Sequence, residues 1–157
     1  MKRILFITIL LAAIPAMALG APPEAVKIQD VIGIVRNCEG NATINRGNQA
    51  IPAVPGAKLK TGDVLSTGPG GSMGITLRDN SSLSIGPQSS IALQDFLFSP
   101  AEGKMSLIAR LAKGTMAYMS GIIGKLSPES VRFETPVASI GIRGTCFVVN
   151  AGEPVPN

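Results

Sequence analysis

From Val31 onward the chain breaks into short apolar runs separated by turn residues. They read VIGIVRN, NATINR, KLKTGDVLSTG, SMGITLRDNSSLSIG, SSIALQDFLF, KMSLIARLAKGTMAYMS, SVRFETP and ASIGIRGTCFVVN. Several alternate apolar and polar positions with period two; in MGITLRD, Met73, Ile75 and Leu77 fall on one face. Such runs, recurring about every 8 to 12 residues between Gly, Pro, Asn and Asp, predict a single all-β domain of short strands and tight turns. One-sided burial of those strands places Ile34, Val54, Leu65, Ile75, Leu77, Leu83, Ile85, Leu93, Leu107, Ile140, Ile142, Phe147 and Val149 in the core.

Two segments compete as helices. MSLIARLAKG (105–114) has Leu107, Ile108 and Leu111 at helical spacing, but Leu107, Ala109 and Leu111 also alternate, and Gly103 and Gly114 bracket the run. The reading is a strand, a turn at Lys113-Gly114, and a second strand TMAYMS. PESVRF (128–133) begins as a turn. A weak repeat adds a constraint: LSTGPGGSMG (65–74) aligns with LSIGPQSSIA (83–92) at an offset of 18 residues. Each copy sets a strand before a Gly-Pro turn, as in the stacked turns of a short β-solenoid or in successive hairpins of a sandwich.

The first 20 residues stand apart from this pattern. Lys2 and Arg3 precede an uncharged run from Ile4 to Leu19, and Ala16-Met17-Ala18 offers a small-x-small cleavage site. That is the layout of a secretory signal peptide; a retained anchor is the alternative, for which Pro15 and the many small residues are poorly suited. Residues 21–30, with two prolines, form a linker; 31–150 form the β domain and 151–157 a tail. Without Lys2 and Arg3 the chain carries 12 basic and 10 acidic residues. With no basic run, one tyrosine and no tryptophan, the concentrated footprint of a nucleic-acid binder is missing. Export also gives the cysteines a meaning. Cys38 and Cys146 are the only two, and in an oxidising compartment an even pair reads first as a disulfide. Closing a loop of about 100 residues, it stabilises by roughly 4 to 5 kcal/mol before strain. Two buried thiols or an intermolecular bond are the alternatives.

Candidate chemistry is sparse. The absence of histidine removes the usual general base and the commonest transition-metal ligand. The two cysteines have no zinc-ligand spacing, and no cofactor is expected. STGPGGSMG lacks the Gly-Lys-Ser/Thr ending of a phosphate loop. LRDNSS (77–82), with Asp79, Asn80 and Ser81, reads as a hairpin turn because no downstream glutamate completes a calcium loop. A serine–lysine hydrolase built on Ser127 and Lys125 requires a buried lysine beside its nucleophile. One residue is out of place in its strand: Arg143, between Ile142 and Gly144 in TPVASIGIRGTCFVV (135–149). A guanidinium among small residues commonly pairs with a carboxylate or with carbonyls. The expected partner is Asp63, behind a glycine in KTGDVLSTG, or else nearby turn carbonyls.

Together these segments resemble a family. GIVRNCEGNATINR, GAKLKTGDVLSTGPGGSMGITLRDNSSLSIGPQSSIAL, LAKGTMAYMS and VRFETPVASIGIRGTCFVV follow the order of the FecR-type domain, named for the periplasmic part of iron-citrate signalling regulators. The most specific pieces are Gly62-Asp63 with Thr67-Gly68, the Leu-x-Asp-x-Ser turn from Leu77 to Ser81, and the TP…IRGT-x-F ending. Where the family has glycine after the turn aspartate, Asn80 stands here, which tolerates a left-handed backbone. The resemblance implies an extracytoplasmic, non-catalytic all-β module, with Asp63, Arg143, Gly144 and Thr145 as fold signature. In the regulators it receives a signal from an outer-membrane receptor and passes it through a membrane helix to a cytoplasmic sigma-factor-binding segment. No apolar span follows the leader here, so the resemblance implies a periplasmic or secreted module contacting an envelope protein. A surface protein binding envelope polysaccharide is the alternative.

Overall fold

The computed structural model describes residues 30–152. The expected leader, all of the linker but Asp30, and residues 153–157 lie outside them. The described residues are 60% strand with one short helix. Its strands are β1 (Val31–Glu39), β2 (Ala42–Arg46), β3 (Gln49–Pro52), β4 (Lys58–Lys60), β5 (Val64–Thr67), β6 (Ser72–Leu77), β7 (Ser82–Ile85), β8 (Ser90–Ser99), β9 (Lys104–Met119), β10 (Val131–Glu134), β11 (Ser139–Gly141) and β12 (Cys146–Ala151); the helix α1 is Ile122–Leu126.

The strands form two sheets that share β9. One runs β4-β1-β6-β7-β9-β12, the other β3-β2-β5-β8-β9-β10-β11. All pairs are antiparallel except β9–β10, and the whole curls into a half-barrel around one core. Alternation decides which way each strand faces: in β6, Met73, Ile75 and Leu77 are buried while Ser72, Gly74 and Thr76 are only half-covered.

The 18-residue repeat marks two corners. β5 and β6 do not pair across the first Gly-Pro turn, nor β7 and β8 across the second. Instead β5 pairs with β8 and β6 with β7, so each copy's first strand pairs with the other's second. Each Gly-Pro turn carries the chain from one sheet to the other. The equivalent third positions, Gly70 and Gln88, both take positive φ, 67° and 50°. The corners lie against each other: the Thr67 hydroxyl donates to the Gly86 carbonyl at 2.6 Å and accepts from the Ser89 N–H at 3.0 Å. A third corner joins the row where the Gly68 N–H donates to the Asn41 carbonyl at 2.8 Å.

The expected turn at Lys113-Gly114 is not a turn. β9 continues through it for 16 residues, and Gly114, at φ +91°, is where the strand leaves one sheet for the other. Lys104 to Lys113 pair with β8; Met116 to Met119 pair with β7. The Ser89 hydroxyl accepts the Thr115 N–H at 2.9 Å and fills the bend.

The core matches the expected set at Leu65, Ile75, Leu77, Leu83, Ile85, Leu93, Leu107, Ile142 and Val149; Ile140 and Phe147 pack against it half-buried. Two expectations are corrected. Ile34 is exposed because register shifts in β1 break the two-residue period, so that Ile32 and Val35 turn inward instead. Val54 lies in the loop after β3 and is 55% exposed. The largest buried side chains also include Tyr118 and Phe133. Tyr118, Phe133 and Phe147 meet with ring centroids 4.8 to 5.4 Å apart and tilted planes, the geometry aromatic quadrupoles favour.

The disulfide is also corrected: Cys38 and Cys146 are free thiols. Cys38 is on β1 and Cys146 on β12, four strand spacings apart, or roughly 19 Å along the sheet. A bridge requires Cα atoms within about 7 Å. Cys38 instead donates its S–H to the Ala53 carbonyl at 2.8 Å.

Candidate binding site

Asp63 is fully buried at the crossover from β4 to β5, behind Gly62 at φ +89°. Its partner is Arg46, not Arg143. The register Asn45↔Val64 sets Arg46, at the end of β2, beside Asp63. Arg46 Nε donates to Oδ1 and Nη2 to Oδ2, both at 2.7 Å, a bidentate fork. Oδ2 also accepts the Lys60 N–H at 2.8 Å, and Arg46 Nη2 donates to the Lys58 carbonyl. The hydrogen bond to Asp63 is the main reason the Arg46 guanidinium is held above its usual pKa. Arg143 stands in the exposed loop between β11 and β12, and those strands bond only to β10 and β9. Gly144, at φ +139°, and Thr145 share that loop; the Thr145 carbonyl accepts the Ser120 N–H at 2.7 Å.

A second buried carboxylate holds the β6–β7 hairpin. Asp79 Oδ1 accepts the Ser81 N–H at 3.0 Å, and Oδ2 accepts the Ser81 hydroxyl at 2.6 Å. Asn80 takes φ +63°. Since the Ser81 proton goes to Asp79, the Tyr118 hydroxyl, 3.1 Å away, donates to Ser81 Oγ, which also accepts the Gly121 N–H. The Asp79 carbonyl and Oδ2 receive the Ile122 and Ile123 N–H groups of α1. The cluster is sealed from solvent, so this serine and carboxylate act as a structural anchor.

Burial, more than any other cause, pushes the Tyr118 phenol above its usual value. The unfolded chain releases this proton near pH 10, while the folded chain still holds it. The resulting stability is complete below about pH 10 and declines as the pH rises toward the folded value. Tyr118→Phe is expected to shallow the decline between about pH 9.5 and 11, read by thermal melts across that range. Equal alkaline slopes for the two proteins contradict this assignment.

The remaining candidates are kept apart. Lys125 is exposed on α1, and Ser127 follows as its C-cap, so no buried lysine stands ready to activate the serine. Among the described residues no cluster of three His, Cys, Asp or Glu side chains forms a metal site, and no helix is long and apolar enough to cross a membrane.

Several concave surfaces open among the described residues, one of about 420 Å³ beside β2 and β3. A polar cleft of about 660 Å³ lies at the corners, lined by Thr67, Gln88, Lys113 and Asn150 among others. A smaller groove of about 270 Å³ runs between residues 140–144 and β12, walled by Ile140, Ile142, Phe147 and Val149. Arg143 is its only charged lining residue. Sequence reasoning noticed Arg143 but assigned it inward. It missed Arg46, whose role rests on a cross-strand register that no local motif displays.

These features define an all-β module with buried polar anchors and open concave surfaces. A family model described as FecR protein matches residues 63–155, well over half of the chain. The chain belongs to the FecR protein family, whose members serve signalling and regulation. Neither a curated protein nor a solved structure matches it.

Proposed function

We propose that this protein is a non-catalytic extracytoplasmic sensing module, working in envelope signalling by contact with another protein. The family match over 63–155 carries this reading. It is supported by the absence of histidine and by the sealing of Asp79 and Ser81 beneath α1. Residues 1–20 act as the leader that delivers residues 31–150 to the periplasm or beyond. The test is photo-crosslinking of the tagged full chain in intact cells. A specific protein adduct is expected; adducts to no envelope protein overturn the proposal.

The polar cleft favours a second reading, envelope polysaccharide as ligand, because Gln88, Asn150 and Lys113 suit a hydroxyl-rich partner. Against it, Tyr118 and Phe133 are buried and offer no stacking platform to a sugar. Retention on purified cell wall, abolished by Asn150→Ala with Gln88→Ala, is the result that establishes this alternative.

A further inference from the structure

We propose that the free edge of β12 and the groove beside it receive an extended segment of the partner protein. That segment carries alternate apolar side chains and a carboxylate for Arg143. This rests on the protein-contact reading above and locates the contact.

The sheets end in four strands: β3, β4, β11 and β12. Unpaired edges invite further strands, and proteins guard them with proline, lysine or brevity. β3 ends in Pro52, which has no N–H to offer. β4 is three residues long, two of them lysine, and β11 is also three residues. β12, CFVVNA, has six residues with no lysine, no proline and no charge. It pairs only with β9, and Val148 on it is 67% exposed. Of these four end strands, β12 alone is unguarded.

The adjoining groove supplies specificity. Its side-chain walls are apolar except at Arg143 and Cys146, and its volume suits side chains of a strand laid along the edge. Arg143 is exposed there. The ion pairs among the described residues are Arg46–Asp63 and Lys104–Glu102, so Arg143 pairs with no carboxylate among them. A side chain at Gly141 or Gly144 would meet nothing within 4 Å, which leaves the approach to the guanidinium open. A second copy of the chain fits less well: two-fold pairing of β12 with itself brings the same patch to both sides, and with it two uncompensated guanidinium groups. A partner bearing a carboxylate removes that repulsion.

The probes are two acetylated, amidated hexapeptides of alternating valine and threonine, one with a central glutamate and one with a central lysine. With the full chain, the glutamate peptide is expected to slow amide exchange across 146–151 and to bind about 10-fold more tightly than the lysine peptide, or about 1.4 kcal/mol. Val148→Lys weakens it about 10-fold, and Arg143→Glu reverses the preference. Both positions are exposed, and unchanged melting curves confirm that the variants fold. No slowing at β12, equal binding of the peptides, or slowing at β3 or β4 overturns the proposal. So does a wild-type dimer that Val148→Lys dissociates, which gives the edge to a second copy. In cells, an equal adduct from wild-type and Val148→Lys chains overturns the β12 site alone. Absence of any wild-type protein adduct overturns the protein-contact reading instead.

Discussion

Arg46→Met is expected to destabilise the protein by about 3 to 5 kcal/mol, a fall in Tm of roughly 10 °C or more. Arg143→Met should change stability by less than about 0.5 kcal/mol. Asp63 is fully buried. Without Arg46 its carboxylate retains only the Lys60 N–H, and an uncompensated buried charge is far costlier than a lost surface pair. The reverse change is milder. In Asp63→Asn the Arg46 side chain, one-third exposed, can turn to water, and the loss is nearer the 1 to 3 kcal/mol of a broken buried hydrogen bond. Chemical denaturation of the three variants gives the order directly. A loss at Arg143 equal to that at Arg46 would contradict the assignment of Asp63 to Arg46.

Gly114→Ala is the second large effect, with an expected cost of about 3 kcal/mol. Two contributions add. The backbone at φ +91° is one that L side chains rarely adopt, at about 1 to 3 kcal/mol. The new methyl also meets Ser89, at its Cα as well as its side chain, so backbone must move, at about another 1 to 3 kcal/mol. Because β9 changes sheets at this residue, the variant should lose order on both sides of the bend. Amide exchange in β7 and β8 should accelerate together. A melting curve within 2 °C of wild type would show that the bend tolerates a side chain and that Gly114 is not its cause.

Single residues show how far sequence carries. Met73, Ile75 and Leu77 alternate in the chain and alternate in the fold, because a period of two has one physical solution. Asn80 was legible as a left-handed position only through the resemblance, which puts a glycine there. The pairing of Asp63 was not: an aspartate behind a glycine announces a tight turn, but its cation comes from a strand 17 residues earlier. The repeat was legible as a repeat and illegible as corners, since a Gly-Pro turn looks alike whether the chain returns beside itself or crosses to another sheet. For Cys38 and Cys146, number and compartment suggested a bond that the order of strands forbids.

What the amino-acid sequence determined alone is the strand-forming pattern, most of the inward-facing set and the family, because each depends on residues close along the chain. Tertiary structure decided which strands neighbour one another, and so which charge meets which, where Gly114 bends β9 and why β12 is left with an open side. Those outcomes depend on hydrogen-bond registers between segments tens of residues apart, and the alternation within a strand is the same whichever neighbour it takes.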